Sequence, residues 1–318
     1  MPELRWNPLL EEWVVSASHR LDRPLNPRDQ CPFCPGSGLV PETYDIHIYQ
    51  NDFPTFVTPP PVRSVNGSPL YKVADASGQC DVVLYHPDHA TTLAQLPVQH
   101  IRRLIDVWRN RFVELAGRPE IHYVLIFENK GEVIGVTMPH PHGQIYAFPY
   151  IPPKIKTELD ASRGHFEKHK RCLICDMVRE EVADGRRLVA GNSSWVAFVP
   201  FFARFPYEVH IVPREHCPSM KTMTDMQRTD LAPILKTVLM KYDGLFGFSF
   251  PYMMLMHQSP VDGGEYPYYH FHVEFYPPHR AKDKLKYLAG CETGAGTFIN
   301  DTSAEEKAEE LRGVTVAL

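Results

Sequence analysis

The chain has 318 residues, 43% hydrophobic and 22% charged, the balance of a soluble globular protein with material for about two domains. A formal net charge of −5 supplies no basic field for nucleic acid or an anionic membrane, so any phosphate binding must come from local basic groups. No run approaches the ~20 apolar residues of a membrane span, and residues 1–15 carry Glu3, Arg5, Glu11 and Glu12 instead of a signal-type core, so the chain reads as cytoplasmic.

In chain order, residues 4–16 alternate weakly and predict an edge strand, followed by a Pro-rich loop over 20–35. The run QCDVVLY at 79–85 predicts a buried strand by its β-branched content. Residues 89–117 predict a helix, with Leu93, Leu104, Ile105, Trp108 and Phe112 as its apolar positions. Residues 123–127 (YVLIF) predict a second buried strand, 129–135 a turn, and 136–148 a third strand. Residues 158–183 predict a helix. The second half then repeats the order: strands at 195–199 and 208–212, an amphipathic helix over 224–246, and strands at 252–256 and 270–276.

Landmarks recur in register. Each half has a C-x-x-C pair, a proline closely followed by histidine, a long helix, and a strand bearing His-x-His. The first half supplies Cys31/Cys34, His89 and His140-Pro-His142, and the second Cys172/Cys175, His216 and His270-Phe-His272. We read this as internal duplication of one α+β unit, with halves at residues 1–155 and 156–318.

Zinc takes thiolate and imidazole ligands in tetrahedral sets, often a close cysteine pair with distant histidines. Cys31, Cys34, His89 and His140 supply such a set, and Cys172, Cys175, His216 and His270 a second. In a cytosolic protein this cysteine spacing points to metal rather than to disulfides. A competing group in the second half, Glu158, His257, His270 and His272, offers harder ligands suited to iron or zinc, and it shares His270 with the cysteine set. The expectation is one zinc, with a second zinc or an iron in the second half, each stapling the fold.

The run His140-Pro-His142-Gly-Gln144 carries the chemistry. On a strand, residues i and i+2 share a face, so a metal-bound His140 places His142 beside it. A histidine nucleophile needs one ring nitrogen unprotonated and the other held by an acceptor. Gly143 is expected to let a phosphate approach the backbone. Gln144 donates a hydrogen bond to a phosphoryl oxygen but has no proton to give up, which favours transfer over hydrolysis.

The run from Asn129 through Gly135, Thr137 and His140-Pro-His142-Gly-Gln144 resembles the active-site signature of the galactose-1-phosphate uridylyltransferases of the histidine-triad superfamily. Segments around Arg20 and Arg23, Cys31-Pro-Phe-Cys34, Asn51-Asp-Phe-Pro54, Pro87-Asp-His89, 250–257 and 276–280 are similar too, so the likeness spans nearly the whole chain. The resemblance implies an α+β fold of two histidine-triad-like units, an antiparallel sheet flanked by helices. It implies ping-pong transfer of UMP from UDP-glucose through uridylyl-His142 to galactose 1-phosphate, in a homodimer. By motif position, Arg20 and Arg23 contact phosphates; Asn51, Asp52 and Phe53 hold the uridine; Asn129, Gly135, Thr137 and Gln144 line the phosphoryl pocket; and Lys286 and Glu292 face the hexose. Met138 and Thr137 stand where the family usually has asparagine and serine. The second C-x-x-C and the tail at 290–300, with Cys291 and Phe298, are similar to relatives that act on ADP-glucose, so an adenylyl-sugar phosphorylase using the same histidine is the alternative.

Overall fold

The computed structural model describes residues 1–22 and 31–318. Its strands are β1 (Glu3–Asn7), β2 (Glu12–Ser16), β3 (His47–Gln50), β4 (Val73–Asp75), β5 (Gln79–Leu84), β6 (Tyr123–Lys130), β7 (His142–Phe148), β8 (Leu188–Gly191), β9 (Trp195–Phe198), β10 (Val209–Pro213), β11 (Tyr252–His257), β12 (His272–Tyr276), β13 (His279–Ala281) and β14 (Lys284–Leu285). Its helices are α1 (Val98–Ala116), α2 (Pro153–His169), α3 (Leu173–Asp184), α4 (Asp225–Phe246), α5 (Gly290–Ala295) and α6 (Ala304–Gly313).

Nine strands form one antiparallel sheet in the order β3-β5-β7-β6-β11-β12-β10-β9-β8. The β6–β11 pair is its centre, and the sequence of strands outward from that seam is the same on both sides. The α+β class and the duplicated unit expected from sequence are therefore present, the second copy carrying β8 as an extra edge. The registers define equivalences. Val82 faces Gln144 on β5–β7, and His210 faces Glu274 on β10–β12. Phe127 faces Gln144 on β6–β7, and Leu255 faces Glu274 on β11–β12. His142 thus corresponds to His272, Gly143 to Val273, and Gln144 to Glu274.

One face of the sheet packs under α1 and α4. Trp108, Phe112, Leu231, Leu235 and Tyr242 are buried there against Val124, Ile126, Ile145, Val273 and Phe275. The alternation of β7 turns Ile145 and Ala147 into this core and His142 and Gln144 to the other face. That second face is covered in part by Leu4 of the small β2-β1-β4 sheet and by Phe56 of the loop before β4, packed with Tyr146 and Phe148. α2 covers it through Ile155 and Leu159, and α3 through Val178. The clefts lie in what remains open.

Several expected boundaries shift, each for a local reason. Residues 4–16 form a hairpin rather than one strand; Glu11 turns the chain with φ 53°. α1 starts only after Pro97, which serves as its N-cap. The helix expected over 158–183 is two, because Lys170 enters the left-handed region (φ 57°) and Cys172 becomes the N-cap of α3. The strand expected over 136–148 begins at His142, since Pro139 and Pro141 offer no N–H to a ladder. α4 is as expected, with Thr224 and Gln227 forming a capping box.

Candidate active site and metal centres

The chain brings Cys31, Cys34, His89 and His140 together, their ligand atoms all within 4.8 Å of one another. His140 Nδ1 lies 3.8 Å from Cys31 Sγ and 3.7 Å from Cys34 Sγ, and His89 Nδ1 lies 3.7 Å from Cys34 Sγ. A tetrahedral ion with metal–sulfur bonds of ~2.3 Å and metal–nitrogen bonds of ~2.0 Å sets sulfur–nitrogen edges near roughly 3.6 Å, so these residues fit a zinc ion. Burial pushes the His140 imidazole down to about 4, keeping it neutral as a ligand must be. His140 Nε2 sits 2.9 Å from the His86 carbonyl and 2.9 Å from the Tyr44 hydroxyl. That contact places the proton on Nε2 and turns the Nδ1 lone pair toward the sulfurs.

The second cysteine set also converges: Cys172, Cys175, His216 and His270. Sulfur–nitrogen distances are 3.7, 3.7 and 3.3 Å, and the burial of Cys172 and His270 matches a dry structural site. The third group is built differently from the sequence expectation. His270 goes to the cysteines, and Glu274 takes its place beside Glu158, His257 and His272. His257 Nδ1 is 3.1 Å from Glu158, and His272 Nε2 is 3.5 Å from Glu274. The shared claim on His270 is thereby resolved, because its backbone precedes β12 while His272 lies on it.

His142 opens β7. Its Nδ1 is 2.8 Å from the His140 carbonyl, so Nδ1–H donates and Nε2 carries the lone pair. His140 itself precedes the strand, so the expected i, i+2 sharing of a strand face does not apply. What couples the two histidines is this backbone hydrogen bond. His142 lines two clefts. One, of about 200 Å3, is bounded by Thr92, Glu128, Asn129, Lys130, His140 and Ser249. The other, of about 80 Å3, is bounded by Tyr49, Asn51, Asp52, Phe53, Thr137 and Gln144. Met138 lines both.

Most of the residues singled out by sequence therefore gather at His142; Arg20, Gly135, Lys286 and Glu292 do not line its clefts. Arg20 Nη1 donates to the Phe53 carbonyl at 2.8 Å, bracing the loop that forms the smaller cleft. Asn51 spends its side-chain oxygen on the Phe53 N–H at 2.9 Å. Gly135, with φ 80°, ends a 3-10 turn and is not among the lining residues of either cleft. Lys286 and Glu292 pair with each other at 3.3 Å and line neither cleft. Arg23 lies outside the described residues. Cys291 is exposed, and Phe298 packs on Phe205 beneath Arg204.

Gly143 has a packing constraint of its own. A Cβ there would stand 2.1 Å from the Tyr85 hydroxyl and 3.0 Å from the Phe127 carbonyl, on the core side of the sheet. Sequence reasoning also missed Phe33. Its ring meets His142 edge-on at 5.5 Å and His140 at 6.0 Å, joining the cysteine loop to the cleft. Its position inside the C-x-x-C was the available signal. Nothing local in the sequence marked Tyr44 or His86, which act through the fold.

With this geometry in hand, the chain was compared with known proteins. Residues 1–152 match the galactose-1-phosphate uridyl transferase N-terminal domain, and residues 158–317 match the C-terminal domain of the same name. A galactose-1-phosphate uridylyltransferase of Thermotoga maritima is 40% identical, with 100% of each chain covered. A solved uridylyltransferase structure is 36% identical with a TM-score of 0.90, covering 98% of both chains. An ADP-glucose phosphorylase from Arabidopsis thaliana, solved with bound ADP-glucose, is 26% identical with a TM-score of 0.77, covering 100% of both.

Proposed function

The chain belongs to the galactose-1-phosphate uridyl transferase family, and from that premise we propose that His142 is the nucleophile through which it moves a uridylyl group between hexose 1-phosphates. The chain is a nucleotidyltransferase acting on UDP-glucose and galactose 1-phosphate. His142 Nε2 attacks the α-phosphorus of UDP-glucose; the nitrogen–phosphorus bond forms and glucose 1-phosphate leaves. A phosphate oxygen of galactose 1-phosphate then attacks the same phosphorus, the nitrogen–phosphorus bond breaks, and UDP-galactose is released. The leaving group of the first step is a phosphate monoester, whose low second pKa of ~6 lets it depart without a general acid; that of the second is the His142 imidazole, which leaves with its Nδ1 proton still held by the His140 carbonyl and needs none at Nε2. Gln144, a donor without a transferable proton, suits that requirement. The observation that carries this reading is the His142 Nδ1–His140 carbonyl bond, which fixes the nucleophilic tautomer at a cleft also lined by Gln144, Asn51 and Asp52.

In this reading the smaller cleft takes the nucleoside, with Asp52 toward ribose hydroxyls and Phe53 beside the base. Asn129 and Thr137 face the phosphoryl group, and Lys286 and Glu292 reach the hexose of the other subunit in a homodimer. Zinc held by Cys31, Cys34, His89 and His140, and by Cys172, Cys175, His216 and His270, staples each half. The group Glu158, His257, His272 and Glu274 suits a second kind of ion, iron or zinc. The halves divide at residues 155 and 156, and the enzyme works in the cytoplasm. No helix is long and apolar enough to cross a membrane among the described residues.

The test is labelling without acceptor. With UDP-glucose radiolabelled in the uridine, wild type is expected to retain one nucleotide per chain and His142→Ala none, with transfer reduced by at least ~10³-fold. Label from ADP-glucose in place of UDP-glucose would make the chain an adenylyl-sugar enzyme. No label from either donor would sink the covalent mechanism.

A further inference from the structure

Behind the reacting strand lies a buried polar cluster that the mechanism above does not use. Glu128 is 5% exposed and Tyr85 and Tyr252 are essentially fully buried. The Tyr252 hydroxyl donates to Glu128 Oε1 at 3.0 Å. Tyr85 Oη and Glu128 Oε2 are both buried without a well-aligned hydrogen bond among the described residues, yet close enough that the Tyr85 hydroxyl acts on the Glu128 carboxyl as a donor. The Tyr85 hydroxyl fills the space where a side chain at position 143 would stand. Tyr85 follows β5 in the first half, and Tyr252 belongs to β11 in the second. Glu128, on β6 at the seam, ties the two halves together directly beneath Gly143.

The duplicated half supplies an internal control. Met256 and Pro213 stand where the first half has Glu128 and Tyr85, by the registers that align Phe127 with Leu255 and Val82 with His210. Val273, paired with Met256, then takes the place of Gly143. The glycine, tyrosine and carboxyl are thus present together only behind the strand that carries His142.

We propose that Glu128 is a positioning residue of the transfer reaction: clamped by Tyr252 and abutting Tyr85, it seats the Gly143 backbone and so sets the height of His142 and Gln144 in the cleft. The proposal rests on His142 and Gln144 being the reacting pair. His142 and Gln144 flank Gly143, so a shift of that one residue moves both, and a displacement of ~1 Å at a reacting group costs ~100-fold in rate. Glu128 also lines the larger cleft beside Asn129, so its loss would open space at the same point.

The experiment compares Glu128→Ala, Glu128→Gln and Tyr85→Phe in the full chain, by single-turnover labelling with UDP-glucose and by steady-state transfer. Glu128→Ala is expected to slow labelling by about 100-fold with the donor KM changed no more than a few-fold. Glu128→Gln keeps the length and the acceptor oxygen for Tyr252, and is expected to label within a few-fold of wild type. Tyr85→Phe, which keeps shape and removes only the hydroxyl, is expected to lose about tenfold in kcat. Glu128→Ala labelling at the wild-type rate overturns the proposal. So does equal loss in Glu128→Ala and Glu128→Gln accompanied by a raised KM, because the carboxyl would then act by charge on the substrate. If Glu128→Ala does not fold, full activity of Tyr85→Phe overturns it. Absence of label on wild-type His142 overturns instead the reading on which it rests.

Discussion

His142 and His272 occupy the same place in two copies of one unit and each lines a cleft, but the charge around the two rings differs. Each turns Nδ1 to the carbonyl two residues earlier, at 2.8 Å for His142 and 3.0 Å for His272. Each follows a histidine that faces a cysteine pair. The difference lies around Nε2. His272 is buried, with Glu274 at 3.5 Å and Glu158 at 4.0 Å. Glu158 itself lies beside His257. Two carboxylates at the nitrogen that would attack repel any phosphate brought to it. At the matching position the first half has Gln144, neutral and able to donate. On the proposed reading, one residue type at the second position after the histidine separates a strand that would accept an anion from one that would not.

The metal sets offer the largest effect by which to break this comparison. His140 has a held outer nitrogen, against Tyr44 and His86, whereas His270 Nε2 is buried without a partner among the described residues. His140 also supplies the carbonyl that sets the His142 tautomer. A structural zinc is worth ~10 kcal/mol or more of apparent folding free energy, so loss of either set should destabilise strongly. Cys34→Ser and Cys175→Ser are each expected to lower metal content by one ion per chain and to lower Tm. Only Cys34→Ser is expected to cut transfer per folded molecule, by ~10-fold or more, as loss of groups around a metal ligand does. Metal analysis with kcat measured on the folded fraction checks this. Equal losses of kcat in both variants would mean that the two sites bear on the chemistry alike.

A smaller effect sharpens the role of the residue after the glycine. Gln144→Glu gives the first half the second half's carboxylate. It removes a donor from the phosphoryl group and adds a like charge, so kcat/KM for UDP-glucose is expected to fall by ~10²–10³-fold. Tm should change little, because residue 144 is only half-buried. A variant within fivefold of wild type would show that Gln144 is not at the transferred group. Glu274→Gln, the reverse exchange, is expected to leave transfer intact, since Glu274 lines neither cleft at His142.

How much of this was legible in the sequence follows from which interactions are local. The two cysteine–histidine sets were readable because a C-x-x-C turn and His-x-His carry their own spacing, and the duplication showed which distant histidines belonged. The proposed nucleophile rests on five adjacent residues. The split of His270 from His272 was not, because it depends on β12 starting at His272, which the apolar run through 276 does not mark. The bond of Arg20 to the Phe53 carbonyl, 33 residues away, was not legible, because it is set by tertiary packing. The packing of Gly143 on Tyr85 was not legible either, because the sequence places Tyr85 58 residues earlier with no periodic signal to connect them.

The smallest expected effect concerns the same position in the two halves once more, Glu128 against Met256. Burial is the main cause that pushes the Glu128 carboxyl up to about 7 from the ordinary 4.5, with Asp243 adding to it and Lys130, Tyr252 and Tyr85 opposing. Between those two values the folded chain holds a proton that the unfolded chain has released. Stability contributed by this group is therefore full below pH ~4.5 and falls as pH rises toward ~7, by at most about 3 kcal/mol. Glu128→Gln lacks the titration and keeps the contacts. Unfolding free energies of the two proteins, measured side by side from pH 5 to 8, should diverge in favour of the glutamine variant as pH rises. The metal ligands titrate identically in both and cancel in the difference. Parallel curves would mean that Glu128 is as well solvated folded as unfolded, and that Met256 differs from it in shape alone.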